Sequence, residues 1–115
     1  MTLNLPALAA PLGEAMLASL KTDSAKLKGL ALAEAEALAH ALTRIGVLTA
    51  AGDIDSNEAM ILLRIQRDAS EAVLASLAEV SRLSAERAIG AALRQALDQT
   101  LGKGALAPLL RTIAG

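Results

Sequence analysis

The chain has 115 residues and a formal net charge of −1, is 54% apolar and 20% charged, and contains no Cys, Phe, Tyr or Trp. That composition excludes disulfides, thiolate metal sites and thiol nucleophiles, and it removes base-stacking platforms, quaternary-amine cages and the aromatic belt of membrane proteins. The near-neutral balance argues against electrostatic capture of nucleic acid, and the length fits one domain.

Good helix formers dominate, with 27 Ala and 23 Leu against only three Val and six Ile, so the expected fold class is all-α. Pro11 suits the first turn of a helix and Glu14 favours its positive end, which predicts helix A over about 11–20. The run Lys21, Thr22, Asp23, Ser24 breaks it, with Asp23 or Ser24 as the next N-cap. Helix B is predicted over about 25–51, stopped by Gly52 in the C′ position. Asp55 followed by Glu58 has the spacing of a capping box, with Asp in the usual Ser/Thr role. Helix C is predicted over about 56–101, free of proline and ended by Gly102 and Gly104, and Pro108 opens a short C-terminal turn over about 105–113.

Texture distinguishes the two long helices. In helix B, Ala alternates from Ala31 to Ala41, and such small side chains allow backbones to approach toward the low end of about 8–10 Å. In helix C, charges recur in steps of three and four, with opposite-charge i,i+4 pairs Arg64–Asp68, Arg67–Glu71, Arg82–Glu86 and Arg94–Asp98. Leu62, Ile65, Ala69, Val73, Leu77, Val80 and Leu83 form an apolar stripe that Leu63, Leu74, Ile89, Leu93 and Leu97 widen. An ordinary surface helix has an apolar arc of about 100°, and this one is wider.

At roughly 1.5 Å per residue, helix B would be about 40 Å long and helix C about 69 Å. The short turn at Gly52 makes them antiparallel, and helix A would stack beyond the break to cover the far half of C. The expected architecture is a long antiparallel hairpin with a short N-terminal helix, completed as a four-helix-type bundle by self-association. Interface positions would be Leu62, Ile65, Val73, Leu77, Val80, Ile89, Leu93 and Leu97. A break near Ser84 or Gly90 would instead allow a monomeric four-helix bundle.

Candidate chemistry is sparse. His40, the one histidine, lies a turn after Glu36, which is not the Glu-x-x-His spacing of di-iron bundles. Asp53, Asp55 and Asn57 alternate like the opening of a calcium loop, but Glu58 and Arg64 stand where Gly and the bidentate Glu belong. The serines lack a Gly-x-Ser-x-Gly elbow, and Gly102-Lys103-Gly104 lacks P-loop spacing. Neither an enzyme, a metal site nor a cofactor is expected. Lys21, Lys26 and Lys28, and Arg44, Arg64 and Arg67, are interleaved with acids and read as solvated charge, so nucleic acid is not an expected partner.

No charge-free apolar stretch approaches the roughly 20 residues that a membrane span needs, and the first Lys is Lys21, too late for a secretory signal, so the cytoplasm is the expected compartment. The apolar ends, 1–12 and 105–110, either fold back on the bundle or dock on a partner. The function expected is that of a non-enzymatic, self-associating interaction protein: an adaptor, an assembly component or a small regulatory subunit. The alternative is a lipid-surface binder, against which the mixed charges and missing aromatic anchors weigh.

Overall fold

The computed structural model describes residues 5–77, 79–100 and 104–114. Every regular element in that span is helical: α1 (Leu5–Leu20), α2 (Ala25–Ala50), α3 (Ser56–Leu77), α4 (Arg82–Gln99) and α5 (Ala107–Ala114). α1 packs against both α2 and α4, α2 against α3, and α3 against α4, so four helices close a ring; α5 lies on α4 and α3. Short connections between consecutive helices make neighbours antiparallel, and the molecule measures 41 × 24 × 20 Å.

Local chemistry fixes most of the helix ends where the sequence places them. The Ser24 hydroxyl accepts from the Leu27 N–H at 3.2 Å and caps α2. At the other end Gly52 takes φ +78°, its N–H donates to the Thr49 carbonyl and the Asp53 N–H donates to the Leu48 carbonyl. This double closure is a Schellman motif, and the left-handed position favours glycine. The capping box is complete: the Glu58 N–H donates to Asp55 Oδ1 at 2.8 Å and the Asp55 N–H donates to Glu58 Oε1 at 3.2 Å.

Three expectations are corrected. First, α1 begins at Leu5, with Pro11 inside it. Proline forfeits one intrahelical bond there, but Leu8, Leu12 and Met16, at successive i+4 positions, are all fully or almost fully buried. The apolar seam carries the helix through the proline. Second, α1 does not extend α2 in line but folds back against it. The approach is close: a Cβ on Gly13 would lie 2.7 Å from Leu32 Cδ2.

Third, helix C is two helices. The chain turns between Leu77 and Arg82, with Glu79 at φ +56° and Ser81 capping α4 through a 3.1 Å bond from the Ser84 N–H. The left-handed backbone costs a non-glycine residue about 1–2 kcal/mol. Turning back buries Ile89 and Leu93 together with Ala85, Ala88, Ala92 and Ala96. Burial is worth about 1.5–3 kcal/mol for each large side chain alone, so burial prevails over helix continuity. The bundle is therefore closed within one chain, and the uncovered half-helix that the sequence offered as a reason for self-association does not exist.

The core is thin-walled and alanine-rich. Ala31, Ala35 and Ala39 of α2 and Ala85, Ala88, Ala92 and Ala96 of α4 are buried, and Leu8, Leu12 and Met16 of α1 join them in one continuous cluster with Leu38, Leu42, Leu63 and Leu74. Leu106 and Leu110 belong to the same buried cluster, with α5 lying on α4 and α3. Residues 1–4 and the expected helix stop at Leu101 and Gly102 lie outside the described residues. Ser70 and Thr100 are the buried polar side chains among the described residues. Ser70 accepts from Gln66 at 3.1 Å and Thr100 donates to the Leu97 carbonyl at 2.6 Å, so neither carries an unmet desolvation cost.

Replacing Glu79 by Gly is expected to raise the unfolding free energy in urea by about 0.5–1 kcal/mol, because the strain at its positive φ is relieved. Ala72→Gly, in the middle of α3, is expected to lower it by about 1 kcal/mol.

Candidate interaction surface

The eight positions expected at an interface divide into two groups. Ile89 and Leu93 are buried in the chain's own core, and Leu97 of α4 and Val80 in the connection before it pack partly buried against that core, so these residues are spent internally. Leu62, Ile65 and Leu77 are exposed, by 38%, 60% and 57%, and Val73 is half-buried. All four lie on α3. The sequence stripe was continuous only on the assumption of a continuous helix C; the turn at 79–81 sends Ile89 and Leu93 inward.

What remains outside is ordered. α3 turns Ala59, Leu63, Ser70 and Leu74 to the core. Leu62, Ile65, Ala69, Ala72 and Ser76 are all exposed, follow one another in steps of three and four, and include no charged residue. Steps of three and four keep residues on one helical face. Ile61, beside this row, is 55% exposed. Sequence reasoning missed Ile61 because it follows no stripe that Leu63 and Leu74 share; the signal was its place one step from Leu62 on the side away from Leu63. Leu32, Val47 and Leu83 are also exposed, on α2 and α4.

The charged residues of α3 that sit toward α4 form a separate feature. Arg67, Asp68 and Glu71 face Arg82, Glu86 and Arg87 across a cleft of about 560 Å³ that ends against Ile113 and Ala114 of α5. Arg67 Nε lies 3.1 Å from Asp68 Oδ1 and 3.6 Å from Glu71 Oε1, and Arg82 Nε lies 3.5 Å from Glu86 Oε1. Two of the four expected i,i+4 pairs thus form. Arg94 instead reaches back over Gly90, where an added Cβ would be 3.4 Å from Nη1, and donates to the Ala114 carbonyl at 3.5 Å. Helical side chains lean toward the N-terminus, which takes Arg94 away from Asp98. Burial pushes the Glu71 carboxyl above the usual range, the Arg67 guanidinium opposes that, and the neighbouring Glu86 and Asp68 reinforce it.

The chain matches no protein-family model, no curated protein and no solved structure.

Nothing in the cleft resembles a catalytic constellation, since its arginines and carboxylates largely neutralise one another and no nucleophile–base pair lines it. Glu36 and His40 are both exposed on α2, and no cluster of three metal-binding side chains occurs among the described residues. Of the residues that resembled the opening of a calcium loop, Asp55 is engaged in the capping box with Glu58. No helix among the described residues is long and apolar enough to cross a membrane. The exposed row on α3 is the surface that the fold itself leaves unexplained.

The division between core and surface is measurable. Leu93→Ala is expected to cost about 2–5 kcal/mol in urea unfolding, as for a buried leucine, whereas Ile65→Ala is expected to stay within about 0.5 kcal/mol at low protein concentration. Glu71 predicts a pH signature. A carboxyl whose folded pKa is raised favours the folded state while protonated, so that contribution is lost as pH rises above the ordinary carboxyl range and through the folded value. The melting temperature of Glu71→Gln relative to the unaltered protein is therefore expected to climb as pH rises through and above the ordinary carboxyl range.

Proposed function

We propose that the protein is a non-enzymatic helical interaction protein of the cytoplasm, serving as an adaptor, an assembly component or a small regulatory subunit, and that it docks helices of protein partners, its own copies included, on the outward face of α3. One observation carries this reading: Leu62 and Ile65, with Ile61 beside them, stay exposed on an uncharged row while every buried side-chain polar atom among the described residues has a partner. An apolar helical face that the chain does not cover is suited to a helix from another chain, held by burial at roughly 25 cal/mol per Å². The burial of Leu8, Leu12, Leu106 and Leu110 favours α3 over these apolar positions as the docking surface.

Ile65→Asp tests the reading, because a charge would have to be desolvated on docking, while the exposed site leaves the fold intact. Resin-bound protein is expected to retain a specific protein, itself or another, from a lysate of the native host. That protein, identified and re-expressed, is expected to bind the unaltered chain at least about tenfold more tightly than the variant in a two-component titration. Equal binding overturns the role of α3. Co-sedimentation of the unaltered chain with neutral and anionic vesicles at physiological salt would overturn it in favour of a lipid-surface protein.

A further inference from the structure

The geometry points to a second copy of this chain as the occupant of the α3 face, paired antiparallel about a two-fold axis near position 67; this inference rests on the docking role just proposed. Side chains along the exposed row are large at one end, Leu62 and Ile65, and small at the other, Ala69 and Ala72. In the antiparallel arrangement Ile65 meets the partner's Ala69 and Leu62 meets the partner's Ala72. Each large side chain is then received by a smaller one, as close packing requires. A parallel pairing in register would set Ile65 against its own copy and Ala69 against its own, crowding one level and leaving a void at the next.

Charge supports the same direction. Arg64 and Asp68 stand one turn apart on a single edge of the row. They do not pair with each other: Asp68 binds Arg67 at 3.1 Å with its side chain 66% exposed, and Arg64 makes no ion pair among the described residues. Across an antiparallel two-fold axis at position 67, Arg64 lies about 3 Å along the helix axis from the partner's Asp68, within reach of its side chain, and the contact occurs twice by symmetry.

Sedimentation equilibrium and a cross-linking pattern test this together. The unaltered chain is expected to form dimers at high concentration. Arg64→Asp and Asp68→Arg are each expected to weaken dimerisation by about fivefold or more, because each sets like charges together, and the combined variant is expected to return to within about twofold of the unaltered protein. The chain has no cysteine, so a mixture of Ile65→Cys and Ala69→Cys chains is expected to join unlike chains ahead of like ones with a short bismaleimide. A monomer at every concentration, an exchange of charges that does not restore association, or preferential joining of like chains overturns the pairing. A dimer that Ile65→Asp dissociates but the charge variants leave unchanged overturns the pairing alone; a dimer that Ile65→Asp leaves unchanged removes the α3 face as well.

Discussion

The fold depends on α1 being wedged between two alanine faces. Leu8, Leu12 and Met16 supply the bulk, and the small residues of α2 and α4 let two helices close on α1. Alanine faces bury little area by themselves, and they repay close approach only when a partner fills the space between them. α1 is that partner for both. Its demand for a second wall is what draws α4 back across the bundle and forces the turn at Glu79.

Much of the local structure was legible in the residues. The all-helical class followed from composition, Gly52 marked the end of α2, and Asp55 with Glu58 marked the start of α3, because capping chemistry operates over three or four residues and is written in them. The turn in helix C was not, since Glu79 and Val80 are acceptable in a helix and no glycine or proline stands there. Ser81, three residues before Ser84, was the only local sign. The cause lies far away in sequence, in the packing of α4 against α1, and a single helix read in isolation cannot report it. Pro11 failed as a helix start for the same reason, because the buried seam of α1 outweighed one lost hydrogen bond.

The candidate surface was legible by halves. The stripe that the periodicity drew through helix C is real on α3, where Leu62 and Ile65 face outward, and was mis-assigned on α4, where Ile89 and Leu93 face the chain's own interior. Periodicity identifies a face that prefers to leave water; it does not say which neighbour will cover it. Once the chain closes its own bundle, the apolar surplus that the sequence offered as half a long helix shrinks, and its ordered part is one row on α3.

The corner at Glu79 has one more consequence. The contacts that hold α4 against α1 are indifferent to which copy provides each helix. What ties α4 to its own chain is the brevity of the connection, which keeps it near α1 at a high effective concentration. Against that tie stands the left-handed backbone at Glu79, a strain that an unbent connection would not bear. Whether the bundle keeps its fourth helix at home is thus a contest between tethering and torsion at a single residue.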